Sequence, residues 1–315
     1  MSQNGIFTNW SRKHSALYSH QPMRVGHILH QSDLFTNEAL AELIEGVPRD
    51  HYHVNSMGPR GHDRSSWREG EIKGLSGQEV LSAVCNGQIW VSLQRLEEIN
   101  DDYARLLEQI YDETEDRVEG LRTYKRSLGL LISSPKAQVF YHCDIPGQSL
   151  WQIRGRKRVY VYPNSSPFLT PKAMETIVLG EADEEHMPYE EWYDDHAMVF
   201  DLEPGEMLHW PLNAPHRVEN LNCLNVSFTT EHWTNDLRAS YAVNYANGLL
   251  RRMTGAKQLA RQTSGPGLYA KMGLAAAVKF SGLQKRKQRR FRIDFQVDPT
   301  TATGTRDIAG FSLGK

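Results

Sequence analysis

The chain has 315 residues, of which 39% are hydrophobic and 23% charged, with a net charge of -2. That balance belongs to a globular protein with a sizeable core, and over the whole chain it speaks against a nucleic-acid binder or a membrane-surface protein. No apolar stretch approaches the ~20 residues of a spanning helix, the N-terminus MSQNGIFTNWSRKHSALYSH has no apolar signal region, and Cys85, Cys143 and Cys223 form neither a disulfide framework nor a zinc motif. A cytoplasmic, reducing setting without membrane contact is expected.

Residues 1 to about 75 are polar and rich in turn signals such as NSMGPRGHDRSS, so strands, short helices and loops should alternate there. The same-face pair His51 and His53 lies in this region and reads as a structural pair, since no distant ligand matches it. LSGQEVLSAV then looks like a short capped helix, and LQRLEEINDDYARLLEQIYDETEDRVEGL has helical periodicity with Leu106, Leu107, Ile110 and Tyr111 as its buried stripe. From Ser127 to Trp233 the pattern changes to short strand-like runs between turns, as in an antiparallel sandwich or barrel.

Within that stretch GEADEEHMPYEEWYDD carries eight acidic residues in sixteen and reads as a solvated insertion. After Asn235 the chain is helical again through YAVNYANGLLRRM and GLYAKMGLAAAVKFSGL. It then reaches KRKQRRFR, six basic residues in eight, read as a solvated helix face or a partner for an acidic surface. The tail beyond Thr300 is expected to be mobile. Three regions follow: an N-terminal mixed and helical region over 1–120, a β-rich core over 121–235, and a C-terminal helical region over 236–315.

The chemistry-bearing residues lie in the core. In FYHCDIPGQSLWQIRGRKRVYVYP a strand sends residues i and i+2 to one face, so His142 and Asp144 can share an ion while Cys143 points away. A third ligand is sought in LEPGEMLHWPLNAPHRVENLNCLNVSF, which offers His209 and His216. Two histidines and one carboxylate leave coordination positions open, an arrangement suited to non-haem Fe(II). Trp151, Trp210 and Tyr162 flank this region and read as barrel core.

These segments, in this order and spacing, resemble the JmjC and cupin-8 oxygenases that use Fe(II) and 2-oxoglutarate, a group that includes the asparaginyl hydroxylase of hypoxia-inducible factor. The family pattern of the third-ligand segment is met by Pro204, Gly205, Glu206, Pro211, His216, Val218 and Asn220, which selects His216 over His209. The resemblance spans roughly residues 125 to 235 and implies an α+β fold with a double-stranded β-helix, or jelly roll, flanked by N- and C-terminal helices.

It further implies His142, Asp144 and His216 as catalytic metal ligands, and Lys157, at the start of the strand after the Gly155-Arg156 turn, as the anchor for the far carboxylate of 2-oxoglutarate. Ser227, Asn225 and Tyr124 are the further cosubstrate contacts; Val139 stands where relatives often carry a threonine or tyrosine, so Tyr124 or Tyr141 is asked to supply a hydroxyl. Gln148 falls at a substrate-pocket position.

The implied activity is hydroxylation of a protein side chain or a small molecule with dioxygen, releasing succinate and CO2. The C-terminal helices offer a surface for a homodimer. A different class keeps the fold without the chemistry: a cupin-type metal-binding or regulatory protein whose basic C-terminal segment contacts nucleic acid.

Overall fold

Alternating burial along the strands builds two facing sheets in this computed structural model, which describes residues 5–56, 67–182, 187–281 and 290–314. The N-terminal part contains α1 (Arg12–Leu17), β1 (Met23–Gly26), α2 (Asn37–Gly46), β2 (Tyr52–Ser56), β3 (Arg68–Glu71), α3 (Gly77–Asn86), β4 (Ile89–Leu93) and α4 (Asp101–Arg117). The central part contains β5 (Tyr124–Ser133), β6 (Gln138–His142), β7 (Gly147–Arg154), β8 (Lys157–Val161), α5 (Pro171–Val178), β9 (Met198–Leu202), β10 (Glu206–His209), β11 (His216–Asn220) and β12 (Asn225–Trp233). The chain closes with α6 (Asn235–Thr254), α7 (Pro266–Phe280), β13 (Arg290–Val297) and β14 (Thr305–Gly314).

Strands β5 to β12 distribute themselves between the sheets as a jelly roll does: β10-β7-β12-β5 in the large sheet, β6-β11-β8-β9 in the small one. The large sheet continues from β5 through β4, β2, β3, β13 and β14, with β1 at its other edge. The α+β jelly roll expected from the sequence is therefore the fold, and the N-terminal region contributes strands to it as well as helices.

Period-2 alternation decides which residues enter the barrel. Leu150, Val159, Val161, Leu208 and Val218 form the core between the sheets, with Leu131 and Val139 packed on it. The intervening residues Trp151, Ile153, Val226 and Phe228 face the opposite side of the large sheet, where α2, α3 and α4 cover them. Trp210 belongs to the inter-sheet core, whereas Tyr162 lies in a separate cluster behind the small sheet. All three aromatic residues are thus packing residues.

The stripe Leu106, Leu107, Ile110 and Tyr111 is buried on α4 as expected. The helix begins later than its periodicity suggests, at Asp101, because the Asn100 side chain accepts from the Asp102 and Tyr103 amides and caps it there. Ser76 and Glu79 form a reciprocal capping box on α3.

Three expectations are corrected. The tail beyond Thr300 is not a loose end: Thr305–Gly314 form β14, which pairs with β13, and β13 runs parallel to β3 with Ile293, Phe295 and Val297 buried. The basic run is not a helix face where it is described, since Arg290 to Arg292 begin β13; residues 285–289 lie outside the described residues. The acidic insertion is also better anchored than a solvated excursion. Met187 and Tyr193 are buried, and Asp194 accepts from Arg217, Tyr162 and Tyr189, while 183–186 lie outside the described residues.

Candidate metal centre

Three side chains from two strands of the small sheet meet at one end of the barrel. His142 closes β6, Asp144 follows it, and His216 opens β11 directly opposite His142 in the antiparallel register. A bulge in β6 between the Val139 and His142 pairings turns both Val139 and His142 inward. One donor atom from each of His142, Asp144 and His216 lies within 4.8 Å of the others, and no other such group of three occurs among the described residues.

The rings are held in one tautomer. His142 Nδ1 donates to the Phe140 carbonyl at 2.7 Å and His216 Nδ1 to the Ala214 carbonyl at 3.1 Å, so each Nε2 carries the free lone pair. Those Nε2 atoms face Asp144, at 3.9 Å from His142 and 3.3 Å from His216. Burial, followed by the neighbouring His142, holds His216 well below the ordinary histidine range and therefore neutral, the form that ligates. Two neutral nitrogens and one carboxylate oxygen are the donor set of a first-row divalent ion with open positions, so the residues fit such a metal.

The loop carrying Asp144 is fixed by a residue that sequence reasoning missed. Asn213, at φ 58° in the turn before His216, donates its amide to the Asp144 carbonyl at 2.6 Å. Its signal was there: asparagine is among the few non-glycine residues that accept a left-handed turn position.

Lys157 is brought to the same interior. It is 3% exposed at the start of β8, and its Nζ donates to Ser227 Oγ on β12 at 2.7 Å. No carboxylate is among its described partners, and burial pushes the ammonium down to about 7. The turn that presents it depends on Gly155, at φ +73°, where a Cβ would meet the Leu224 carbonyl at 2.2 Å.

Asn225 lies two residues from Ser227 on the same face, but its amide group is already engaged. It accepts from Gln152 Nε2 at 2.8 Å and donates to the Cys223 carbonyl at 3.0 Å, while Gln152 also holds the Gly155 carbonyl. Asn225 therefore braces the hairpin of Lys157.

The structure does not bring Tyr124 to this site. Tyr124 pairs with Trp233 at the far end of β5, its hydroxyl on the Thr234 carbonyl, whereas Ser227 pairs with Leu131. Seven residues of extended strand separate those positions by ~23 Å. Tyr141 points out of the barrel and donates to the Phe168 carbonyl.

His209, the rejected ligand, is behind the large sheet. It stacks on Tyr18 with ring centroids 4.0 Å apart and bonds Ser149 and the Ser19 amide. His51 bonds the Gln94 carbonyl and His53 bonds Glu69, as a structural pair should.

One inward residue went unremarked in the sequence. Glu231 on β12 is half-buried beside Gln148, its register partner on β7, and burial, then Asp144, raises its carboxyl to about 7.

The model of the cupin-like domain matches residues 76–245 of this chain. Among solved structures, Escherichia coli YcfD superposes with a TM-score of 0.51 at 15% identity, covering 89% of this chain and 69% of that one. YcfD, described as a ribosomal oxygenase, has also been solved with cobalt and 2-oxoglutarate, a structure that matches at a TM-score of 0.48 and 16% identity over 92% of this chain and 74% of that one. No curated protein matches the sequence. The likeness to YcfD is one of fold, and the family match covers more than half of the chain, including all three ligand positions and Lys157: the chain belongs to the cupin-like domain family.

Proposed function

We propose that this protein is an Fe(II)- and 2-oxoglutarate-dependent oxygenase that hydroxylates a protein side chain or a small molecule, converting 2-oxoglutarate and dioxygen to succinate and CO2. The observation that carries the reading is Lys157. A buried ammonium whose described partner is a single hydroxyl is costly unless an anion joins it. It sits two same-face steps along β8 from Val161, which pairs with His216, or ~13 Å of strand. A five-carbon diacid chelating at the triad reaches a cation so placed.

His142, Asp144 and His216 would hold the iron, which when bound supplies the redox chemistry that activates dioxygen. The chain's own residues do the rest. The Phe140 and Ala214 carbonyls fix the ligand tautomers, Lys157 and Ser227 receive the distal carboxylate, and Leu131, Leu150 and Val159 give the methylenes a dry lining. The homodimer belongs to the same proposal, supported by Tyr269 and Phe280, which are 72% and 91% exposed on α7; light scattering in solution tests it.

The test of the activity is succinate release from 2-oxoglutarate with Fe(II) and ascorbate and no prime substrate. Slow iron-dependent succinate release that disappears in His142→Ala and Lys157→Ala is expected. Absence of both turnover and 2-oxoglutarate binding would reject the oxygenase in favour of a binding or regulatory protein.

A further inference from the structure

Strand β12 serves as a ruler through the barrel. Its inward residues are Asn225, Ser227, Thr229 and Glu231, the alternates of the outward-packed Val226 and Phe228. Ser227 touches Lys157, which marks the cosubstrate end. Glu231 lies four residues further, ~13 Å along the strand, and Asp144 acts on it electrostatically, which marks the metal end.

Among the described residues Glu231 has polar company but no cation. Gln148 Nε2 approaches its Oε1 at 3.5 Å, and no lysine or arginine is among its described partners. Besides Asp144, the other charge acting on it is Glu97, a further carboxylate. Glu97 lines a cavity of about 440 Å³ beside α4 and the start of β5, together with Leu107, Glu108, Tyr124, Lys125 and Arg126. The two cations there are engaged: Arg126 bonds Glu108 and Glu115, and Lys125 lies 5.3 Å from the Trp233 ring centroid. Asp144 and Glu97, the charged groups that act on Glu231, are thus both carboxylates.

We infer that Glu231, with Gln148, determines specificity for the prime substrate, and that this substrate presents a cationic side chain, an amine or guanidinium. The inference rests on the oxygenase reading for calling that molecule a substrate. A cation supplies the charge Glu231 lacks and can donate to it while Gln148 binds alongside. A carboxylate guest would meet Glu231 as a like charge, and a neutral amide can donate to Glu231 but brings no charge to it.

Glycine pentapeptides with blocked ends, carrying arginine, lysine, glutamine or glutamate at the centre, are the probes. They are titrated into protein whose Mn(II) loading is checked by electron paramagnetic resonance, with 2-oxoglutarate present, and the Mn(II)-induced relaxation of the central side chain's protons is read. Arginine or lysine should bind about tenfold more tightly than glutamine, glutamate should show no relaxation, and Glu231→Gln should erase the preference for cations.

Equal relaxation of the glutamate peptide, a preference that survives Glu231→Gln, or no relaxed peptide on fully loaded protein would each overturn the inference. Failure to take up Mn(II) or 2-oxoglutarate counts against the oxygenase reading instead. Calorimetry with the metal-free protein then decides on Glu231 alone: cationic binding lost in Glu231→Gln upholds the carboxylate site, and no cationic binding refutes it.

Discussion

Two groups of histidines lie on opposite sides of the large sheet, and they differ in what their second nitrogen meets. Inside the barrel, His142 and His216 each spend Nδ1 on a backbone carbonyl and turn Nε2 toward Asp144. Behind the sheet, His209 has both nitrogens bonded to Ser149 and Ser19, while His232 bonds Tyr111. Burial alone therefore does not make a ligand. Convergence of free lone pairs on a carboxylate does.

The largest effect that could break this contrast comes from His209 and His216, two histidines seven residues apart that the sequence makes hardest to tell apart. His142→Ala, Asp144→Ala or His216→Ala should lower iron-dependent succinate release by at least ~100-fold, beyond the loss typical of outer-shell changes, with little change in melting temperature. His209→Ala should do the reverse. It removes a ring stacked on Tyr18 at a 1% exposed position, costs about 3 kcal/mol as a cavity, and lowers the melting temperature by roughly 6 °C while turnover per folded molecule persists. Equal loss of turnover in His209→Ala and His216→Ala would mean the assignment of the two sides is wrong.

Next in size is Lys157, the charged group of the inner side. Lys157→Ala removes one half of a buried charge pair, about 3 kcal/mol, so the KM for 2-oxoglutarate should rise ~100-fold while metal affinity stays put. With the free ammonium pushed down to about 7, affinity is full below that pH. Above it a proton must be taken up on binding, and affinity should fall about tenfold per pH unit. Lys157→Arg, permanently charged, should flatten that dependence even if its overall affinity is lower.

The inner side was largely legible in the sequence because strand periodicity, turn chemistry and one distant histidine all point at the same face. His142, Asp144 and His216, then Lys157 after Gly155-Arg156, needed no knowledge of the rest of the chain beyond the family's spacing. What stayed hidden depends on long-range pairing. The tail beyond Thr300 was read as loose because β14 is held by β13, and β13 in turn by β3, a strand distant in sequence whose pairing no local pattern announces. Glu231 was missed because alternation says that some β12 residues face inward but leaves open which carboxylate they meet there. Tyr124 was misplaced for the opposite reason, as a hydroxyl needed by analogy and set on the wrong end of a ten-residue strand.

The outer histidines sharpen the contrast through acid stability. Burial, the largest cause for each, pushes His27 and His232 down to about 4 and His209 to about 3. Their unfolded value is 6.5, so as pH falls the unfolded chain takes up protons first. The stability they contribute is complete above about 6.5 and is lost between that pH and the folded values near 4. The melting temperature should decline across this window, and His209→Phe should make the decline shallower by removing one titrating ring. An unchanged slope would mean that His209 is not the buried neutral group described.

The smallest effects separate touching from bracing at the cosubstrate end. Ser227→Ala deletes the hydroxyl that Lys157 bonds, a loss of about 1 kcal/mol, so the KM for 2-oxoglutarate should rise roughly fivefold with little change in melting temperature when 2-oxoglutarate is bound and its carboxylate partners Lys157. Asn225→Ala should raise KM by a similar factor for a different reason. It strips partners from the buried Gln152 amide and the Cys223 carbonyl, loosening the hairpin around Gly155. Because unsatisfied buried groups cost about 1–3 kcal/mol, this variant should also lose several degrees of melting temperature. A KM change without a stability change in Asn225→Ala would move Asn225 from brace to contact, as first expected from its position beside Ser227.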